Sequence, residues 1–241
     1  MSAILSVDNL HVGYGKFRVL HSLSFEVEQG QVLGVIGPNG AGKTTLMNAL
    51  SGLIMPYDGS ILFYEHNITK LSCDKRCRLG LGRTYQIPRP FERLTVFENV
   101  LVGASYGTGK TEHAATPLAL EVLHTTALYE KRDVMAGQLT LLDRKRLEVA
   151  RALGTQPKLL LLDEHTAALD PKTAAKVLEI TENIVSKNKF TTLMVTHNMK
   201  DAITLGNRLL MMSEGKIIFE AEGEAKRRLT VSEMVERFAA V

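Results

Sequence analysis

The sequence predicts an α/β fold: a sheet core that carries a phosphate loop, an antiparallel β portion, and a helical segment inserted midway along the chain. Three observations predict it. Short apolar runs at 32–36 and 159–162 end in a glycine-rich turn and in an Asp-Glu pair, as buried strands at a ligand-binding sheet edge do. The first run leads through GPNGAGKT into a helix-patterned stretch at Lys43–Ser51. From about Gln86 to Leu153 strand patterning gives way to helix-like segments, and strands resume afterwards.

Each element follows in order. Residues 4–7 and 19–27 alternate apolar and polar side chains and read as strands. Pro56, Asp58 and Gly59 make a turn before a strand at 61–64. The inserted segment is expected to be broken by a Gly/Thr loop at 103–111. A strand at 159–162, a helix at 171–186 and a strand at 191–196 complete the core. Two short strands near 209–212 and 216–219 join through Glu214-Gly215, and residues 224–241 read as two short amphipathic helices. No internal repeat or low-complexity stretch occurs. The expectation is one domain over 1–241. Its core spans 1–86 and 154–223, its helical subdomain 87–153 and its C-terminal tail 224–241.

Composition is ordinary for a globular protein, with 45% hydrophobic and 23% charged residues. The net charge of +3 is small and no run of five like charges occurs, so nucleic acid is not an expected partner. Cys73 and Cys77, four apart on an expected helix, read as two reduced thiols, because a structural zinc site usually takes four ligands. The N-terminus lacks a basic region followed by an apolar core, and no stretch reaches the roughly 18 apolar residues of a membrane span. A membrane role would therefore be peripheral.

GPNGAGKT matches the G-x-x-x-x-G-K-[ST] phosphate loop, with a strand before it and a helix after it. Gly37, Pro38, Asn39, Gly40, Ala41 and Gly42 form the loop. Its glycines let successive amide N–H groups turn toward one anion. The helix beginning near Gly42 adds the positive end of its dipole. Lys43 is placed to bridge the β- and γ-phosphates of ATP, Thr44 to ligate Mg²⁺ and Thr45 to reach the α-phosphate. LLLLDE delivers Asp163 at a strand's carboxyl end, where it would hold Mg²⁺ through water; Glu164 then stands to polarise an attacking water.

With these motifs in this order the sequence resembles the ABC ATPases over nearly its whole length. The resemblance implies a P-loop fold with a RecA-like core, an antiparallel β subdomain and an inserted helical subdomain. It also implies roles that the residues alone do not carry. Tyr14, in VGYG, matches the aromatic residue that stacks on adenine. Gln86, in GRTYQIPRPF, matches the Q-loop glutamine that senses Mg²⁺ and water. Asp170, in ALD, matches the D-loop of the dimer interface. His197, in VTHN, matches the switch histidine that contacts the γ-phosphate. The family's signature, usually LSGGQ, falls on LTLLD at 139–143, counted back from A-R-A-L at 150–153. Thr140 keeps a hydroxyl where a serine contacts the opposite subunit's nucleotide, but Leu141 and Leu142 replace two glycines. A tolerated variant and a weakened site in an asymmetric dimer both fit.

The stretch at 82–104 is similar to the ATPases of branched-chain amino-acid importers, as is LTLLDRKRLE. The later half looks like ATPases of other bacterial importers of small organic solutes. The function implied is an ATP-hydrolysing subunit that energises a bacterial ABC importer of branched-chain amino acids or a similar solute. Transmembrane permease subunits, a second ATPase subunit in a homodimer or heterodimer, and a solute-binding protein are the implied partners. The implied location is the cytoplasmic face of the inner membrane. The competing reading is a soluble ABC ATPase without membrane partners, such as an iron–sulfur assembly ATPase.

Overall fold

The computed structural model describes residues 3–163, 170–188 and 190–239. Its first half runs β1 (Ala3–Tyr14), β2 (Phe17–Glu28), β3 (Val32–Ile36), α1 (Lys43–Ser51), β4 (Asp58–Phe63), β5 (His66–Asn67), α2 (Cys73–Leu79) and β6 (Leu81–Arg83). Then follow α3 (Val96–Thr108), α4 (Glu112–Thr125), two 3-10 turns (Tyr129–Lys131 and Ala136–Gln138) and α5 (Leu141–Gly154). The last third runs β7 (Leu159–Asp163), α6 (Pro171–Asn188), β8 (Thr191–Val195), α7 (Met199–Thr204), β9 (Arg208–Ser213), β10 (Lys216–Glu222), α8 (Gly223–Arg227) and α9 (Val231–Ala239).

The chain divides into two units. The first comprises Met1–Arg76 and Phe190–Val241. In it β2, β1, β4 and β5 form an antiparallel sheet, with Leu5 opposite both Val27 and Phe63. β1 runs well past the expected 4–7. The polar pair Asp8-Asn9, which reads as a strand end, is an irregularity within the strand. Asn9 takes a left-handed φ of 46° and donates its N–H to Ser24 Oγ at 2.8 Å. β3 lies between β8 and β9, parallel to both, and β10 pairs antiparallel with β9. All residues of β8 are buried, and so are four of the five in β3, which accounts for their unbroken apolar patterning. Ile36, Ala202, Leu209, Met211 and Met234 form one buried cluster, so the C-terminal helix α9 packs onto the strands that carry the phosphate loop. Two buried cations close exposed carbonyl ends. Arg76 donates to Ala49, Leu50, Thr69 and Leu71 oxygens, and Lys226 to those of Ile203, Leu205 and Gly206.

The second unit is Cys77–Lys189. β6 and β7 pair in parallel, with Arg83 opposite Leu161. α3, α4 and α5 bury small and branched residues, among them Val100, Ala104, Ala115, Ala119, Leu123 and Leu147. Thr95 and Glu98 form a reciprocal capping box at the start of α3. The expected loop at 103–111 is confined to 109–111: α3 continues to Thr108, Gly109 (φ 70°) ends it, and α4 starts at Glu112. Gly103 and Gly107 serve close packing. A Cβ on Gly103 would stand 2.6 Å from the Arg151 oxygen, and one on Gly107 2.5 Å from Thr155 Cα. Cys73 and Cys77 are both free thiols.

Candidate nucleotide site

In the first unit β3 delivers the phosphate loop. Gly37 is required by crowding, since a Cβ there would lie 2.4 Å from the Met212 carbonyl oxygen. Gly42 has φ 97° and caps α1 without any side-chain hydrogen bond, so the first-turn N–H groups are not satisfied by a capping side chain. Lys43 is buried, and its Nζ donates to the Gly37 and Pro38 oxygens at 2.7 and 3.0 Å, holding the ammonium against the loop. Pro38, Asn39, Gly40 and Thr44 are exposed, while Ala41 and Thr45 are buried. α1 has no acidic residue in its first turn, so nothing there opposes a phosphate.

Tyr14 stands at the tip of the β1–β2 hairpin with 51% of its surface exposed. Its hydroxyl accepts from Asn48 Nδ2 at 3.3 Å. Asn48 lies one helical turn beyond Thr44 on α1, so the aromatic ring and the phosphate loop share one helix as support. His197 follows β8 and is exposed. Val35 pairs with Val195, which sets Gly37 and His197 each two residues beyond that pair on two adjacent parallel strands. Asn198 caps α7 by accepting from Lys200 and Asp201 N–H. Burial pushes the Asp201 carboxyl up, against the opposing pull of His197.

In the second unit Asp163 ends β7 and is buried. Its Oδ2 accepts from Arg83 Nη2 at 2.9 Å, and its N–H donates to Thr84 Oγ1 at 3.3 Å. Gln86 is exposed, and its carbonyl accepts from Lys145 Nζ. Thr140 is the N-cap of α5: its hydroxyl accepts from Asp143 N–H and donates to Asp143 Oδ2 at 2.8 Å. Leu141 is 45% exposed and Leu142 half-buried, so neither of the two leucines in place of glycine is a fully buried core residue. Asp170 stands ahead of Pro171 and accepts from Thr173 N–H at 3.1 Å; hydrogen bonds from the Thr173 hydroxyl and then its N–H hold the Asp170 carboxyl low. Glu164 and residues 168–169 of the ALD segment lie outside the described residues.

The structure adds residues that motif reading passed over. Arg83 reaches Asp163. Lys145, Glu148 and Arg151 on α5 grip the segment after Gln86. Glu148 accepts from Arg89 N–H at 2.7 Å, and Arg151 donates to the Arg89 oxygen at 2.7 Å. Asn99 is fully buried, bridging Phe91 and the Leu94 and Thr95 oxygens. The available signal was three charges spaced three apart in LTLLDRKRLEVARAL, a spacing that lines one helix face meant for burial.

In the first unit Thr44 exposes a hydroxyl, and in the second Asp163 carries a buried carboxylate and Gln86 an exposed amide; each is an oxygen of a kind that Mg²⁺ takes. Among the described residues no group of three or more His, Cys, Asp or Glu forms a cage. Mg²⁺ is typically held by one or two carboxylates plus nucleotide phosphates and water, rather than by an all-protein cage.

The family model for ABC transporters matches residues 20–167, more than half of the chain. The tyrosine transport ATP-binding protein of Clostridioides difficile (strain R20291) is 36% identical over 234 residues, covering 91% of this chain and 90% of that one. The high-affinity branched-chain amino acid transport ATP-binding protein LivG of Escherichia coli (strain K12) is 32% identical over 226 residues, covering 88% and 89%. Among solved structures, the ADP conformation of MJ1267, an ATP-binding cassette of an ABC transporter, superposes with a TM-score of 0.86 at 29% identity over 100% of both chains. A strand-borne phosphate loop, an aspartate at the end of a second buried strand and this whole-chain likeness lead to one assignment: the chain belongs to the ABC transporter family, as one of its ATP-hydrolysing subunits.

Proposed function

We propose that this subunit energises a bacterial importer of amino acids, with branched-chain amino acids as the first candidate cargo. The observation that carries this reading is the similarity to LivG, which spans 88% of the chain. The tyrosine-transport relative supports amino-acid cargo more broadly. No helix among the described residues is long and apolar enough to cross a membrane. The partners proposed from the family relationship are transmembrane permease subunits, a second ATPase subunit and a solute-binding protein, with this chain peripheral at the cytoplasmic face.

In this reading Tyr14 stacks on adenine, and the loop N–H groups with Lys43 hold the β- and γ-phosphates of ATP. Thr44, Asp163 and Gln86 hold Mg²⁺, which when bound neutralises phosphate charge. Glu164 polarises the attacking water, and His197 contacts the γ-phosphate. Phosphoryl transfer to water is then positioning and electrostatics. Glu164→Gln should bind ATP as the natural chain does and lose turnover by about 10²-fold or more. Near-normal turnover would remove Glu164 from this role. Cargo is tested by reconstituting the chain with its permeases. ATPase stimulation by leucine-loaded binding protein is expected, and stimulation by a non-amino-acid solute alone would overturn the assignment.

A further inference from the structure

Arg83 and Asp163 stand at the carboxyl ends of two adjacent parallel strands, β6 and β7, at the sheet edge where α/β folds take their ligands. The side chains are 7% and 2% exposed, and the guanidinium donates to the carboxylate at 2.9 Å. On its other side the guanidinium lies over the Tyr85 ring, 4.8 Å from its centroid, and Tyr85 adjoins Gln86. Thr84, between them, donates its N–H to the Leu161 oxygen at 2.9 Å and accepts the Asp163 N–H through its hydroxyl at 3.3 Å. Arg83, Thr84, Tyr85 and Asp163 thus form one contact cluster. A cation is built into the surroundings of the carboxylate that the nucleotide reading assigns to Mg²⁺.

A carboxylate removed from water needs a partner, and an arginine in hydrogen-bond contact supplies a fixed one. The same charge alters what that carboxylate does to a nucleotide. A bare anionic Asp163 would repel the phosphates of Mg²⁺-free ATP and attract the Mg²⁺ of the complex. A guanidinium 2.9 Å from Asp163 offsets both effects. We infer that Arg83 is a positioning residue that acts through Asp163 as its internal counter-cation and limits how strongly nucleotide binding depends on Mg²⁺. The inference rests on the proposed nucleotide role of Asp163. It assigns Arg83 a part that strand pairing alone does not require.

The test is equilibrium binding of a fluorescent, non-hydrolysable ATP analogue to the intact chain, in excess Mg²⁺ and in EDTA, in mildly alkaline buffer. The quantity read is the ratio of the two dissociation constants. Arg83→Met should raise the ratio of the EDTA constant to the Mg²⁺ constant about tenfold or more, by weakening Mg²⁺-free binding and tightening the Mg²⁺ complex. Arg83→Lys should restore a ratio near that of the natural chain, because it keeps the charge. In an Asp163→Asn background the effect of Arg83→Met should shrink to within about twofold. An unchanged ratio in a folded Arg83→Met chain overturns the inference, as does an equal rise in the Asp163→Asn background. If Arg83→Met does not fold, Arg83→Gln, which can still hydrogen-bond Asp163 without a charge, carries the same two outcomes. Should the natural chain's affinity respond neither to Mg²⁺ nor to Asp163→Asn, the proposed nucleotide role of Asp163 itself fails. A response to both with none to Arg83 overturns only the counter-cation.

Discussion

At Asp143 burial and charge act in opposite directions. Burial pushes its carboxyl up. Hydrogen bonds from Lys131 (2.5 Å) and Thr140 (2.8 Å), with the charges of Lys131 and Arg146, outweigh it and hold the carboxyl below its usual range. A depressed carboxylate contributes stability above the unfolded value, and that contribution is lost as pH falls through the folded one. Asp143→Asn should therefore cost about 1–3 kcal/mol near neutral pH, since it leaves two cations without their counter-charge. The gap between variant and natural chain should close in acid, read by urea denaturation at several pH values. A gap independent of pH would mean that Asp143 acts by shape and hydrogen bonding alone. Glu148 has the opposite sign. Burial raises its carboxyl, against Arg151, the Arg89 N–H and Lys145, so its ionised form weighs on the fold as pH rises past the ordinary carboxylate range. Glu148→Gln keeps an acceptor for Arg89 and should gain on the natural chain as pH rises from acid to neutral, read as a widening difference in Tm. A difference that narrows would reverse the assignment.

α5 is more than the helix that follows LTLLD. Through Lys145, Glu148 and Arg151 it fixes the backbone from Gln86 to Arg89, and Arg151 also covers the Phe91 ring at 4.7 Å. The loop is thus rigid on one side. On the other it shows an apolar and basic face: Ile87 is 68% exposed, and Arg89, Phe91 and Arg93 are exposed too. Such a surface suits a partly apolar contact with a charged rim. Reversing charge at Arg89 and Arg93 should weaken assembly with the permease or coupled transport while leaving ATP affinity within about twofold. Unchanged transport by the reconstituted complex would count decisively against this surface. The elements themselves were legible wherever one period dominated: the strand at 32–36 and the helix at Lys43–Ser51 stand where their patterns put them. Residues 103–108 were misread because glycine signals a loop locally, whereas here Gly103 and Gly107 answer to the end of α5, far along the chain. The phosphate loop and Asp163 were legible because their chemistry fixes residue type and spacing. Arg83 and Glu148 were not, because their meaning depends on partners 80 and 59 residues distant.

In the proposed dimer each nucleotide lies between one subunit's phosphate loop and the helix that begins at the other subunit's Thr140, and this chain is unequally equipped for the two tasks. Its proposed phosphate loop has glycine conformations, a buried lysine and a helix start without a side-chain cap, all of which suit phosphate. The start of α5 is different. The Thr140 hydroxyl is engaged with Asp143, whose carboxylate already occupies the positive end of the helix, and the Leu141 side chain stands out 45% exposed where the family has glycine. A phosphate approaching that end meets a side chain and a nearby negative charge. A composite site closed by a partner's LSGGQ-type helix over this chain's Lys43 and Glu164 should therefore hydrolyse ATP well. The site closed by Thr140 and Leu142 should bind ATP and turn over roughly tenfold more slowly. The isolated chain is then expected to be a weak ATPase and mostly monomeric. Glycine at Leu141 and Leu142 should raise its turnover at a stability cost of about 1–2 kcal/mol, since neither leucine is fully buried. The decisive measurement compares turnover of the chain alone, of the mixed complex, and of the mixed complex carrying Glu164→Gln in this chain. The last should lose most of its activity if this chain's own loop is the fast site. A lone chain that dimerises with ATP and matches the rate of the mixed complex would show that LTLLD closes on phosphate as well as the glycine form does, and the asymmetry would be wrong.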